Sequence, residues 1–236
     1  MKINDLIIYE DDQLVALNKP AGMLTIQDRA GNPALKNALQ NKYGEIFTVH
    51  RLDKDTSGMI VFARNETSHR QLSQLFESRE VAKYSVGLVI GKPAQPSGTI
   101  DIGLMDHPVR KGMMVANRKG KPSITDFEVL ESFRQYSWVQ FRIHTGRMHQ
   151  IRVHMKHLGT PLVCDELYGD GKPVLLSNIK SRYNLSKVEL EERPILARLA
   201  LHSWKLSFNL PGKAYNLEAE PPKDIRALLQ QLRKNQ

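Results

Sequence analysis

Short apolar runs of strand length dominate this chain, and no regular strand-helix-strand order interleaves them with helices. That pattern disfavours a wound parallel sheet. It leads instead to an α+β fold with a mixed, largely antiparallel sheet flanked by helices and loops. The clearest strand is Tyr136 to Ile143, where Val139, Phe141 and Ile143 alternate with Gln140 and Arg142. Gln13 to Leu17, Val49 to Leu52, Met59 to Phe62, Val86 to Ile90 and Thr125 to Leu130 also read as strands, and Trp204, Leu206 and Phe208 alternate in a late one. Helical spacing joins Leu35 to Leu39 after Pro33, and Leu72 to Leu75 and Phe76. A third helix is expected from about Arg147 to Leu158, ended by Gly159. A fourth follows Pro221 and Pro222 and carries Ile225, Leu228, Leu229 and Leu232. No stretch resembles a linker, so residues 1–236 read as a single domain with insertions. The polar segment Asn178 to Glu192 is the best candidate for a loop or surface insertion.

Charge narrows the class of partner. Lys and Arg number 34 against 25 Asp and Glu, for a formal net charge of +9. Such an excess favours a polyanion such as nucleic acid as partner, but it bears on association and not on chemistry. The single cysteine, Cys164, excludes an internal disulfide framework and a Cys-rich zinc site, and suits a reducing cytosol. Asp5 stands where a signal peptide needs an apolar run, and no apolar stretch approaches the ~18 residues of a membrane span. A soluble cytoplasmic protein is expected, with monomer as the default state because no coiled-coil pattern is evident.

Three groups of residues could carry chemistry. In His50-Arg51-Leu52-Asp53-Lys54-Asp55-Thr56-Ser57-Gly58, two carboxylates sit beside two cations in a polar connection. A nearby cation keeps a carboxylate ionised, which suits a nucleophile better than a general acid. The same residue types also close ordinary turns, and Asp55, with Thr56, Ser57 and Gly58 directly after it, fits that plainer role better. The second group is Gly146-Arg147-Met148-His149-Gln150-Ile151-Arg152-Val153-His154-Met155-Lys156-His157. As a helix it would bury Met148, Ile151, Met155 and Leu158 and spread its cations over two polar faces. No acidic residue occurs from Ser132 through Cys164, so those faces suit phosphates or are simply solvated. A metal site is a poor fit, because His149 and His154 diverge by about 140° round a helix and no carboxylate or thiol lies close in sequence. Lys83-Tyr84 is the third group, an aromatic beside a cation that can stack on a base, although tyrosine in a strand is commonly just packing. The acid-free segment Val109 to Thr125 is either an RNA-facing loop or a solvated one.

Taken in order, these segments resemble the RluA-like pseudouridine synthases. The resemblance runs from Ile8-Tyr9-Glu10-Asp11 and Asn18-Lys19-Pro20-Ala21-Gly22 through His50-Arg51-Leu52-Asp53, Thr56-Ser57-Gly58 and Lys83-Tyr84. It continues through Thr145 to His154, Gly159-Thr160-Pro161-Leu162, Asp165 and Tyr168-Gly169, and ends near Leu201-His202 and Leu206 to Phe208. It implies an RNA pseudouridine synthase of pseudouridine synthase-like fold, with Asp53 as catalytic carboxylate, Tyr84 as the aromatic against the target base, and Arg152 as the cation paired with Asp53. Arg51 is similar to the arginine that occupies the space of the flipped nucleotide, and Arg147, His149 and Gln150 match substrate-binding motif positions. The implied partner is structured ribosomal or transfer RNA, with no metal, nucleotide or other cofactor. Cys164 stands where the family usually has Gly, and a local backbone adjustment is expected there. The motifs start within ten residues of Met1, so the family's small S4-type RNA-binding domain is expected to be missing. Two other readings compete with this one. A non-catalytic RNA-binding protein of the same fold would lack one of Asp53, Tyr84 or Arg152, and a metal-dependent hydrolase would lose its activity to a chelator.

Overall fold

The computed structural model describes residues 2–180, 183 and 191–235. A 3-10 turn at Ile3–Leu6 leads to β1 (Ile7–Glu10), β2 (Leu14–Lys19), α1 (Leu35–Tyr43), β3 (Phe47–Thr48), β4 (Ser57–Ala63) and α2 (Glu66–Glu77). Then come β5 (Ala82–Ile90), β6 (Ser97–Asp101), β7 (Leu104–Asp106), β8 (Met114–Ala116), β9 (Ile124–Ser132), β10 (Tyr136–Ile143) and α3 (Gln150–His157). A 3-10 turn at Leu176–Asn178, β11 (Leu201–Leu210), β12 (Lys213–Glu218) and α4 (Lys223–Lys234) complete the order. The fold is α+β with a mixed sheet. Two compact units divide the chain. One comprises Met1–Val86, Arg142–Met148 and His202–Glu220; the other comprises Gly87–Phe141, His149–Leu201 and Pro221–Gln236.

In the first unit the strands run in the order β1-β2-β4-β11, with β3 also pairing β4 and β12 pairing β11. β4 is buried along its whole length because helices cover both of its faces. Met59, Val61 and Ala63 pack with Leu72, Leu75 and Phe76 of α2, while Ile60 and Phe62 pack with Leu35 and Leu39 of α1. β4 and β11 pair in parallel, with His202 opposite Ser57 and Ser203 opposite Gly58. Gly58 permits that approach: its φ is 115°, and a Cβ there would stand 2.1 Å from the Ser203 carbonyl oxygen. The neighbouring hydroxyl seals the junction from beside it. His202 Nε2 lies 2.8 Å from the Ala219 carbonyl and so donates to it, which leaves Nδ1 to accept from Ser57 Oγ at 2.9 Å.

In the second unit the order is β10-β9-β6, and β7 and β8 form a separate antiparallel pair. A small core of Leu104, Met113, Val153 and Tyr168 joins that pair to α3. Arg198 holds α4 through a bidentate pair with Asp224, both bonds 2.7 Å long.

The expected strand over Val49 to Leu52 does not form. β3 ends at Thr48, and side chains take over the backbone partners that a ladder would supply. The expected third helix begins at Gln150 because His149 adopts a left-handed conformation, φ 55° and ψ 23°, and ends at His157. Its apolar stripe is correspondingly shorter: Ile151 and Met155 are buried, but Met148 and Leu158 are 39% and 40% exposed. Cys164, at φ 57°, is the third residue of a turn closed by the Asp165 N–H on the Leu162 carbonyl. That position favours glycine, and here a buried thiol in contact with the Lys172 carbonyl holds it instead. Most of the Asn178 to Glu192 segment lies outside the described residues.

Candidate active site

The connection carrying Asp53 leaves β3 and is fastened at nearly every step. His50 Nε2 accepts the Val61 N–H at 3.0 Å and so extends the β3–β4 pairing by one side chain. An acceptor nitrogen carries no proton, and the environment agrees. Burial, and after it the Lys83 charge, push the His50 imidazole down to about 3, while its ring stacks on Phe76 with centroids 4.5 Å apart. Arg51 is exposed. The Thr25 hydroxyl grips Leu52 twice, donating to its carbonyl at 3.0 Å and accepting its N–H at 3.2 Å. The Lys54 carbonyl accepts from the Gly22 N–H at 2.9 Å and from Lys19 Nζ at 3.0 Å. Asp53 itself is partly buried, and its carbonyl closes the turn onto the Thr56 N–H.

Lys19 explains why this loop has one shape. Its side chain is fully buried, and its ammonium donates to the carbonyls of Pro20, Met23 and Lys54. A buried ammonium is tolerated only where its donors are met, and backbone carbonyls meet these. The segment Lys19 to Thr25 therefore fixes the backbone on both sides of Asp53. Neither Lys19 nor Thr25 was a candidate site residue. The available signal was a lysine at the end of an apolar strand, directly before Pro20.

Elsewhere in the first unit, Tyr84 is half-buried on β5, with the Arg142 guanidinium 6.0 Å from its ring centroid. Arg147 belongs to the same unit and is partly buried.

His149, Gln150 and Arg152 lie in the second unit at the start of α3. The expected cationic helix face is not there. Gln150, Arg152 and His154 are all buried, and each has a partner inside the protein. Arg152 forms a bidentate pair with Asp165, Nε to Oδ2 at 2.8 Å and Nη2 to Oδ1 at 2.7 Å, with side chains 4% and 0% exposed. Asp165 Oδ1 also accepts the N–H groups of Leu167 and Tyr168 at 3.0 Å. The Tyr168 ring lies 5.1 Å from the Arg152 guanidinium, and its hydroxyl accepts the Met114 N–H and contacts His149 Nδ1, both at 2.8 Å. His149 and Arg152 thus meet at Tyr168.

Gln150 belongs to a separate chain of bonds. It donates to Thr125 Oγ1 at 2.9 Å, and Thr125 donates to His154 Nδ1 at 2.9 Å, because His154 Nε2 must donate to the Ile102 carbonyl. Burial holds the His154 imidazole below its ordinary range. With such different partners, His149 and His154 do not converge, and no group of three His, Cys, Asp or Glu side chains among the described residues is arranged to hold a metal. Asp165 belongs to the motifs that carry the resemblance but has no role in the sequence reading, although it is the first residue after the acid-free stretch.

A family profile for RNA pseudouridylate synthase matches residues 13–157, which include the Asp53 connection, Tyr84 and all of α3. The ribosomal large subunit pseudouridine synthase D of Buchnera aphidicola subsp. Schizaphis graminum is 34% identical to this chain, covering 96% of it and 73% of the relative. The protein of the same name from Haemophilus ducreyi is also 34% identical, covering 96% and 70%. Among solved structures, human RNA pseudouridylate synthase domain containing 4 superposes with a TM-score of 0.75 at 26% identity, covering 98% of this chain and 94% of that one. The clamped Asp53 connection and the buried arginine on α3 therefore lie within matched sequence, and the chain belongs to the RNA pseudouridylate synthase family, whose members are isomerases.

Proposed function

We propose that the chain converts a uridine of structured ribosomal RNA to pseudouridine, with Asp53 as catalytic carboxylate, Tyr84 against the target base and Arg152 as the cation for Asp53. Arg51 fills the space that the everted nucleotide leaves, and Arg147, His149 and Gln150 contribute to substrate binding. The named relatives act on the large ribosomal subunit, which favours ribosomal over transfer RNA and a cytoplasmic setting. Both units then serve one catalytic domain, acting as a monomer.

One observation carries this reading: the backbone on each side of Asp53 is tied down by Lys19, Gly22 and Thr25, while the aspartate itself is left partly accessible. Structural turns do not need that degree of fixing, but a reacting group does, since small displacements of a catalytic group cost large factors in rate. Arg152 is suited to its role because Asp165 and Tyr168 hold its guanidinium in one orientation. The exposure of Arg51 fits a side chain that enters the RNA.

The reaction breaks N1–C1′, turns the base and joins C5 to C1′; the proton lost from C5 is balanced by the one gained at N1. As an isomerisation it has no net demand for oxidant, reductant or energy source. An ionised carboxylate can bond covalently to the nucleoside or stabilise the departing base, and an amide of the same shape can do neither. Extruding the uridine costs a few kcal/mol, which phosphate contacts and a gap-filling side chain offset. The test is Asp53→Asn, assayed by mapping pseudouridine in ribosomal RNA. The variant is expected to bind RNA and form no pseudouridine, and full turnover would remove Asp53 from the mechanism.

A further inference from the structure

The acid-free segment Val109 to Thr125 belongs to a part of the second unit that the proposed chemistry leaves unused. β7 and β8 form a short antiparallel ribbon, with Leu104 opposite Ala116 and Asp106 opposite Met114. Strand residues alternate between faces, and Leu104, Met114 and Ala116 share the face that packs with Val153 of α3 and with Tyr168. The other face pairs Met105 with Val115 and is partly exposed. Tyr168 ties this ribbon to α3. Its hydroxyl accepts the Met114 N–H at 2.8 Å and contacts His149 Nδ1 at 2.8 Å, and its ring lies 5.1 Å from the Arg152 guanidinium. The ribbon therefore stands against the two α3 residues, His149 and Arg152, to which the proposed function gives substrate and Asp53.

A tight turn closes each end of the ribbon. In the first, His107 Nδ1 accepts the N–H groups of Val109 and Arg110 at 3.2 and 3.0 Å, and the His107 N–H donates to the Met113 carbonyl at 2.9 Å. In the second, Asn117 Oδ1 accepts the Lys119 N–H and the Asn117 carbonyl accepts the Gly120 N–H, both at 2.8 Å. Lys121 then exchanges two backbone bonds with Leu104, at 2.8 and 3.0 Å. Gly120 permits that return, since a Cβ there would stand 2.5 Å from the Leu104 carbonyl carbon. The first turn carries Arg110 and Lys111, and the second Arg118 and Lys119. All four are exposed, and among the described residues none is ion-paired with a carboxylate. Asp106 is the only acid from Ile102 to Thr125. A solvated loop has no need of such fixing, whereas a binding loop held in shape loses less entropy when its ligand arrives. Three strand residues separate the turns by on the order of 10 Å, so each turn meets a different phosphate.

We infer that the β7–β8 ribbon grips the backbone of the substrate RNA at two points, Arg110 and Lys111 at one end and Arg118 and Lys119 at the other. This rests on the reading of the chain as an enzyme acting on RNA. The turns offer cations without carboxylates, which matches a polyanion, and the ribbon is fastened to the α3 residues that serve the reacting nucleotide in that reading. Phosphate contacts of this kind set register and affinity but carry no base choice. They help to offset the cost of everting the uridine.

The test uses the full chain and a large-subunit ribosomal RNA transcript, with binding measured from about 50 to 300 mM KCl. Wild type is compared with two double variants, Arg110→Gln with Lys111→Gln and Arg118→Gln with Lys119→Gln. A control, Lys223→Gln with Lys234→Gln, removes the same charge from exposed positions of α4. Each lost phosphate contact lowers the slope of log K against log salt by about 0.7 to 0.9. Each ribbon double is expected to lower it by about 1.4 to 1.8, with Tm unchanged in the absence of RNA, and the control by less than about 0.5. The swap Arg118→Lys with Lys119→Arg is expected to keep the wild-type slope. An unchanged slope in either ribbon double overturns the two-point grip. An equal drop in the control also overturns it, because net charge alone then accounts for the effect. Pseudouridine formation by wild type on the same transcript is scored separately: its absence counts against the functional reading, while the slopes alone decide the ribbon.

Discussion

Without the Asp165 carboxylate, two N–H donors of the buried Arg152 would lose their acceptors, and two backbone N–H groups of the following turn would lose theirs. Breaking one side of a buried ion pair typically costs about 3–5 kcal/mol, more than the intact pair contributes, because the surviving charge is stranded. Asp165→Ala is therefore expected to lose on the order of 3–5 kcal/mol in urea unfolding. It should also lose pseudouridine formation, since Arg152 is no longer oriented. A loss below about 1 kcal/mol would mean that water reaches the site and that the pair is not a dry one. This dependence was invisible in the sequence for a specific reason. Residues 147–158 read as a helix with polar faces, and periodicity cannot tell a solvated polar face from one buried against partners. The motif singled out Arg152, but the carboxylate that holds its guanidinium stands 13 residues away in a turn that no periodic pattern announces.

At the scale of elements, the segment from Lys19 to Thr25 works as a bracket for the catalytic connection. Thr25→Val keeps the shape of the side chain and deletes both bonds to Leu52, leaving a carbonyl and an N–H without their partner. The expected loss is about 1–3 kcal/mol of stability. With Asp53 less firmly held, kcat should fall by on the order of 10- to 100-fold, with a smaller change in KM. An unchanged kcat in a destabilised variant would show that the bracket serves the fold alone. The elements legible in the sequence were those with sustained periodicity. α2 and α4 show helical spacing at Leu72, Leu75 and Phe76, and at Ile225, Leu228, Leu229 and Leu232, and β10 matches its alternation at both ends. β1, β6, β7, β8 and β12 escaped because three to six residues are too few for a period to register, and β6 is almost wholly exposed. Val49 to Leu52 misled in the opposite way, since its apolar residues pack into the cores while Thr25 and His50 side chains replace the ladder.

Over the whole molecule, the protein carries a net charge of +9, and several of its acids are committed to internal pairs. Acid should therefore destabilise it through two sets of groups acting in sequence. His50 comes first: burial and then Lys83 lower it from 6.5 to about 3 in the folded state. Below about pH 6.5 the unfolded chain takes up a proton that the folded chain refuses until near 3, so stability falls as pH falls through that window. His154, held down by burial, acts in the same direction. Carboxylates follow at lower pH. Burial opposes ionisation of Asp11 and Asp224, but bonds from Lys213, Tyr9 and Tyr215 to the former and from Arg198 to the latter outweigh it; Glu131 is lowered directly by Arg233. A depressed carboxylate contributes stability above its unfolded pKa and loses it as pH falls toward the folded one, here below about 4. The urea midpoint is therefore expected to decline from pH 7 to 5, and more steeply below 4. His50→Gln keeps a side-chain oxygen to accept from Val61 and does not titrate, so it should flatten the first decline and leave the second intact. A wild-type midpoint that stays level from pH 7 to 5 would mean that His50 is protonated in the folded protein, and its bond to the Val61 N–H could not then hold the start of the Asp53 connection against β4.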